Sequence, residues 1–368
     1  MQTEHRVIYG DGRDLKGIAD RSIDLVVTSP PYPMIEMWDQ LFAGLDPQIG
    51  AYLEEGDGRG AFEAMHRVLD GAWAGLFRVM KEGALACINI GDATRTVGGR
   101  FQLFANHARI SGRFSELGFT NLPAILWRKQ TNAPNKFMGS GMLPAGAYVT
   151  LEHEYILIFR KGGKRPFRTA EEKKRRGESA YFWEERNRWF SDLWDFKGIG
   201  QEITGGKTRQ RSAAYPFSLP FRLINMFSLL GDTVLDPFLG TATTTLAAIA
   251  AGRHSIGYEI EPAFKARIRE RLMGEGAGLQ RCNRRRLRDH LDFVSERVRK
   301  KGPLKYRNMH YGFPVMTRQE QELRLPLPGP LQEVGSGLFR ACYLDDEFLK
   351  GTEARVSHEN DRGGCADG

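Results

Sequence analysis

Three stretches of this sequence predict an α/β fold with a doubly wound, largely parallel sheet. The first is Ser22-Ile23-Asp24-Leu25-Val26-Val27, a short run dominated by β-branched and aliphatic residues, as a strand covered on both faces requires. The second runs Asp232-Thr233-Val234-Leu235-Asp236, then a loop of small residues, then Leu246-Ala247-Ala248-Ile249-Ala250-Ala251, then His254-Ser255-Ile256-Gly257-Tyr258. It reads as strand, tight loop, helix, strand. The third is the wider alternation of short apolar runs with amphipathic segments across residues 5–160, the pattern of helices crossing over a parallel sheet.

Each element has a local cause. The strand over 22–27 is stopped by Thr28-Ser29-Pro30-Pro31-Tyr32. Proline has no N–H and a fixed φ, and Pro31 pushes Pro30 toward an extended conformation. The result is a stiff loop at a strand's carboxyl end, offering one hydroxyl, carbonyls without ladder partners and an aromatic face. Such a loop suits a planar, amine-bearing ring; the same five residues also read as a plain rigid turn. Residues 61–81 read as one helix or a broken pair, with Phe62, Met65, Val68 and Leu69 on one face. In the second unit the threonines ahead of Leu246 are candidate caps and Gly252 is the stop. Glu259 ends the last strand, roughly 20 residues beyond the small-residue loop, where an acid accepts from ribose hydroxyls in sheets that bind adenosine. The loop has neither the Gly-x-Gly-x-x-Gly nor the Walker pattern, and no lysine follows its glycine. A nucleoside without phosphates fits better than a nucleotide. An ordinary βαβ unit with small residues for close packing is the plainer alternative.

Together these residues resemble the amino-methyltransferases of DNA, which move a methyl group from S-adenosylmethionine to an exocyclic base nitrogen. Thr28-Ser29-Pro30-Pro31-Tyr32 is similar to the family's catalytic motif, Asp236-Pro237-Phe238-Leu239-Gly240-Thr241-Ala242-Thr243-Thr244 to its cofactor loop, and Gly257-Tyr258-Glu259 to its ribose-binding strand end. Tyr9-Gly10-Asp11 ends the first strand, where the family places an Asp near the adenine amine. Asn89-Ile90-Gly91-Asp92, Trp127-Arg128-Lys129 and His153-Glu154-Tyr155 resemble later strand ends, and Ala214-Tyr215-Pro216-Phe217 the segment ahead of the cofactor loop. A catalytic loop placed first and a cofactor loop placed late match the permuted β subgroup, over about residues 5–270. Two positions depart from the pattern: Thr241-Ala242 stands where Ser-Gly is usual, and Arg211-Ser212-Ala213 where a histidine is common. Ala242 is tolerable unless the backbone there needs a positive φ.

The resemblance implies a Rossmann-like fold divided as follows. Residues 1–161 and 213–270 make the catalytic and cofactor-binding parts of one domain, 162–212 an inserted target-recognition region, and 271–368 a basic C-terminal extension. It implies Ser29, Pro30, Pro31 and Tyr32 as catalytic residues. Asp11, Thr28, Asp236, Pro237, Phe238, Gly240, Thr241 and Glu259 form the implied S-adenosylmethionine site, with no metal. Hydrogen bonds from the target amine to the Ser29 hydroxyl and the Pro30 carbonyl would free its lone pair for in-line attack. The target base must leave the duplex, and the ring of Tyr32, rather than its hydroxyl, is the expected platform for it. None of the four cysteines sits in a Pro-Cys context, which argues against carbon-5 cytosine methylation. Within the family Ser-Pro-Pro-Tyr goes with cytosine N4 and Asp- or Asn-Pro-Pro-Tyr with adenine N6, with exceptions. The expectation is therefore cytosine N4, with adenine N6 as the alternative; an RNA base methyltransferase and a non-catalytic DNA-binding protein rank below them. Duplex DNA and a cognate restriction endonuclease reading the same site are the implied partners, and nothing in the residues fixes an oligomeric state.

Composition agrees. A chain of 368 residues with 41% hydrophobic content can bury a sizeable core, and a formal charge of +8 suits a polyanionic partner. Cys87, Cys282, Cys342 and Cys365 lack metal-type spacing, which argues against a zinc site or a disulfide framework. No apolar run approaches membrane-spanning length and the start is polar, so a cytoplasmic protein is expected, with no membrane partner. Residues 162–211 mix Lys164, Arg165, Arg168, Lys173, Lys174, Arg175, Arg176, Arg186 and Arg188 with Tyr181, Phe182, Trp183, Trp189, Phe190 and Trp194. That mixture suits phosphate and base contacts or, alternatively, a solvated insertion with its own aromatic core. Residues 281–301 read as a basic helix, Pro326-Leu327-Pro328-Gly329-Pro330 as a stiff linker-like turn, and 351–368 as a disordered tail.

Overall fold

The computed structural model of the protein describes residues 1–129, 138–196 and 215–344. Among the described residues ten strands form one sheet: β1 Gln2–Tyr9, β2 Ile23–Thr28, β3 Met80–Ile90, β4 Phe119–Arg128, β5 His153–Lys161, β6 Leu193–Asp195, β7 Thr233–Asp236, β8 His254–Glu259, β9 Pro328–Gly335 and β10 Leu338–Tyr343. Their order is β6-β4-β5-β3-β2-β7-β8-β1-β10-β9. The block β3-β2-β7-β8-β1 is parallel throughout. β5 runs against both of its neighbours, and β10 against both of its own. Every residue of β2 is buried, as a central strand with helices on both faces demands.

Because β2 and β7 are direct neighbours, pairing Leu25 with Val234 and Val26 with Leu235, the loops that follow them open side by side. Both lie at the carboxyl edge of the parallel block, where ligands of doubly wound sheets sit. The antiparallel β5 begins at that same edge and ends at the opposite one.

The helix expected over 61–81 is one continuous helix, Gly58–Val79, started by the Asp57 carboxylate, which accepts from Gly60 N at 2.9 Å. It stops at Val79 because Met80 and Lys81 already belong to β3. The helix Thr243–Ala251 is buried on all sides and ends at Gly252 with φ +74°, as expected. Its N-cap, however, is Ala242, with no side-chain cap. The threonine hydroxyls are used elsewhere: Thr243 accepts from Arg271 and Thr244 donates to Asp236.

Residues beyond 271 are woven into the domain. The helix Gly276–Lys301 buries Leu279, Cys282, Leu287 and Val294. Strands β9 and β10 widen the sheet past β1, and Leu331, Phe339 and Ala341 join the main core. The proline-rich 326–330 is therefore not a linker: Pro328 opens β9, at the sheet edge where a missing N–H costs least. Phe182 of the insertion packs with Leu287, Phe313, Val315, Leu323, Leu325 and Leu327 in a separate cluster. Cys87 and Cys342 are free thiols. The tail over 351–368 and the 211–213 departure lie outside the described residues. No helix among those described is long and apolar enough to cross a membrane.

Candidate active site

The proline loop is anchored from below. Thr28, fully buried at the end of β2, donates to Asp236 Oδ1 at 2.5 Å and so ties this loop to the next one. Ser29 is half-buried, Pro30 buried, and Pro31 and Tyr32 half-buried. The Tyr32 hydroxyl, for which the sequence suggested no role, makes three hydrogen bonds. It donates to Glu154 Oε2 at 2.9 Å and accepts from Asn89 Nδ2 at 2.7 Å and from Ser29 Oγ at 3.2 Å. Asn89 also donates to Glu154 Oε2 at 2.7 Å, and Lys129 Nζ bonds Glu154 Oε1 while lying 4.6 Å from the centre of the Trp127 ring. Burial, with the Glu154 charge beside it, pushes the Tyr32 phenol well above its ordinary range, so it stays protonated. Gly91 leaves room for the ring: a Cβ there would sit 3.0 Å from Tyr32 Cε2.

Asn89, Lys129 and Glu154, quoted from sequence only as strand ends, thus join in one hydrogen-bond network beneath Tyr32. Asn89 lies at the end of β3, Lys129 just past β4 and Glu154 near the start of β5. The signal that could have joined them is strand polarity, since an antiparallel β5 must begin where β3 and β4 finish.

The second loop is held just as tightly. Asp236 accepts on Oδ1 from Thr28 Oγ1 and from Phe238 N at 3.0 Å, and on Oδ2 from Thr244 Oγ1 at 2.5 Å and Tyr215 Oη at 3.3 Å. Burial raises its carboxyl above the usual range, against the pull of these donors. With all four donors drawn from the protein, Asp236 acts as the keystone between the two loops. Leu239 N donates to Tyr258 O at 2.8 Å, strapping the loop over β8. Glu259 accepts from Gly240 N at 2.7 Å and Glu261 N at 2.8 Å, and burial raises its carboxyl too. Arg271 donates to the Thr241 carbonyl at 2.8 Å and to the Thr241 and Thr243 hydroxyls at 2.9 Å each. Ala242 sits at φ +64°, so the position that departs from Ser-Gly is one where glycine is the natural choice.

The turn after β1 completes the group. Gly12 is so close to Pro237 that a Cβ would meet its carbonyl oxygen at 2.2 Å, which sets Asp11 beside the cofactor loop. Arg13 chelates the Asp11 carboxylate at 2.5–2.9 Å, and these bonds outweigh partial burial and hold its pKa low. All the site residues expected from sequence therefore gather along one sheet edge. Their chemistry fits an adenosyl group: a carboxylate at the end of β8, a loop whose Gly240 faces open space, the half-exposed Phe238 ring, and no lysine between 236 and 245. Glu259 would take the ribose hydroxyls and Asp11 the adenine side.

The family model for DNA methylases matches residues 23–270 of the chain. Among curated relatives, the type II methyltransferase M.MthZI of Methanothermobacter thermautotrophicus is 51% identical over 359 residues, covering 97% of this chain and 100% of its own length. The type II methyltransferase M.MjaI of Methanocaldococcus jannaschii is 49% identical over 283 residues, 74% of this chain and 92% of its own. A DNA modification methylase structure from Thermus thermophilus, solved in complex with S-adenosyl-L-methionine, superposes with a TM-score of 0.55 at 34% identity, over 73% of this chain and 94% of that one.

Proposed function

This chain belongs to the DNA methylase family, as a β-class, S-adenosylmethionine-dependent amino-methyltransferase of DNA, and we propose that within it the chain methylates the exocyclic N4 amine of cytosine in duplex DNA. The observation that carries this reading is the geometry of Ser29. Its hydroxyl hydrogen points to Tyr32 at 3.2 Å, which leaves the oxygen lone pairs for an incoming N–H. A neutral, short acceptor at this position suits a cytosine amine, and the alternative is adenine N6.

When bound, the cofactor supplies an electrophilic methyl group on a sulfonium. The chain does the rest. An exocyclic amine is a poor nucleophile because its lone pair is delocalised into the ring. Accepting its hydrogens on Ser29 Oγ and the Pro30 carbonyl favours a pyramidal nitrogen and stabilises the charge that develops there. Two loops locked together through Thr28 and Asp236 hold the base and cofactor sites in fixed register, so that alignment is provided before reaction. The Tyr32 ring, backed by Gly91, is the platform for the flipped base.

We assign target recognition to residues 162–212. β6 climbs parallel to β4 and sets Asp195 opposite Arg128. The relatives named type II methyltransferases support a place in a restriction–modification system, with an endonuclease cutting the same site. The test is methylation of genomic DNA by the purified protein, followed by nucleoside mass spectrometry. N4-methylcytosine is expected, N6-methyladenine would move the target to the other amine, and 5-methylcytosine or no methylated base would overturn the reading.

A further inference from the structure

We propose that Glu154 is the final proton acceptor of a relay that begins at the target amine and runs through the hydroxyls of Ser29 and Tyr32. The inference rests on the amine-methylation reading above. In that reaction the N–C bond forms as the C–S bond breaks, and the nitrogen, still carrying both hydrogens, becomes cationic. One proton must leave for the lone pair to return to the ring.

The structure supplies an ordered path for it. Ser29 Oγ donates to Tyr32 Oη at 3.2 Å, and Tyr32 Oη donates to Glu154 Oε2 at 2.9 Å, so both existing bonds point away from the amine. Ser29 takes the amine proton as it passes its own to Tyr32, and Tyr32 passes its proton to the carboxylate. The N–H electron pair stays on nitrogen, both hydroxyls end as they began, and Glu154 becomes a neutral acid. The phenol is held protonated at rest by burial and by Glu154, so it conducts a proton rather than storing one.

Other nearby carboxylates are committed elsewhere. Asp236 accepts from four protein donors, and Asp92 is bound to His107 Nδ1 at 2.7 Å. Asn89 and Lys129 orient Glu154. Lys129 sits on its other oxygen, Oε1, and a cationic ring-conjugated amine is a far stronger acid than a carboxylic acid, so the proton passes downhill. The lysine side chain is 38% exposed, which gives the acid a route to reset against solvent.

The test is the single-turnover rate at saturating cofactor and duplex for wild type, Glu154→Gln, Tyr32→Phe and the double variant. Glutamine keeps an oxygen for the Tyr32 hydroxyl but takes no proton, and phenylalanine keeps the ring but breaks the path. Each single change is expected to slow transfer by about 100-fold, as loss of a positioned proton acceptor does. The double variant should be no slower than the slower single, with S-adenosylmethionine affinity within about twofold of wild type. A Glu154→Gln rate near wild type would reduce Glu154 to a support for Tyr32 and overturn the relay, as would fully additive losses in the double variant. If Glu154→Gln does not fold, Tyr32→Phe decides alone, a wild-type rate overturning the relay. Wild-type protein that methylates no DNA amine overturns the functional reading, and the relay with it; a normal wild-type rate with unaffected variants overturns the relay only.

Discussion

At the edge where β2, β3, β7 and β8 end, Ser29 on its stiff loop and Asn89 and Glu259 at their strand ends present acceptors and donors. At the opposite edge, where the same strands begin, Arg165 bonds both oxygens of Asp232 at 2.6 and 3.0 Å and lies 3.6 Å from Asp24, which Lys81 holds at 2.8 Å. Arg175 adds a further contact to Asp232 at 3.6 Å, and Lys161 caps the carbonyls of Phe77 and Met80. The basic, aromatic stretch after residue 162 begins at this second edge. Several of its charges are spent on burying strand starts, and its Phe182 on a cluster shared with the C-terminal segment. A groove of about 1420 Å³ also opens there, lined by Gly83, Arg160, Lys164 and Lys173 among others; it lies at the strand starts, away from Ser29. Charge and aromatic content are therefore poor guides to where chemistry occurs. Strand direction is the better guide, because it decides which side chains meet at the carboxyl edge.

If the edges divide their work in this way, Arg165→Ala is a stability mutation. It leaves Asp232, 2% exposed, with the Leu229 N–H on Oδ2 at 2.8 Å and the longer Arg175 contact as its remaining partners, and should cost about 3 kcal/mol, as breaking a buried pair does. Denaturant unfolding measures the loss, and the single-turnover rate of the folded variant should be unchanged. A slowed reaction with unchanged stability would break the comparison.

On the other edge, Glu259→Ala should weaken S-adenosylmethionine binding by about 1–3 kcal/mol, the range for a charged hydrogen-bond partner. Glu261→Ala should change it little, and calorimetry on both variants decides which acid holds the cofactor. The same residue has a pH signature. Burial raises the folded-state carboxyl above its ordinary value of 4.5, so folding favours the protonated acid. The stability of wild type relative to Glu259→Gln should be greatest below about 4.5 and fall as pH rises through the raised value, the reverse of an ion-paired acid. Opposite curvature in a pH series of melts would contradict this.

The smallest effect sharpens the comparison at one backbone position. Ala242→Gly removes a Cβ from a residue at φ +64° and should stabilise the protein by about 1 kcal/mol. Destabilisation would mean that the alanine methyl packs well enough to offset its strain.

Much of this edge was legible because it is local. The Val26-to-Tyr32 strand and loop, the small-residue loop ending at Gly252, and Glu259 at its strand end follow from neighbours in sequence. The acceptors beneath Tyr32 were not legible in the same way. Asn89 and Glu154 lie 57 and 122 residues beyond it, and only the antiparallel course of β5, which a hydrophobic pattern does not encode, brings Glu154 to it. Threonine capping failed for a similar reason: the hydroxyls of Thr243 and Thr244 were claimed by Arg271 and Asp236 from distant elements. Ala242 was the reverse case. Its departure from glycine was visible in the residues, but its consequence needed the φ angle.

The central claim is that the amine is activated at Ser29 while the cofactor is held elsewhere on the same edge. Ser29→Ala measures it directly, in single turnovers on duplex DNA with calorimetry of S-adenosylmethionine alongside. The rate should fall by about 100-fold, the scale of removing one positioned polar contact from a transition state, with cofactor affinity unchanged. A folded Ser29→Ala variant that transfers methyl groups at the wild-type rate would contradict the account, whatever binds at Glu259.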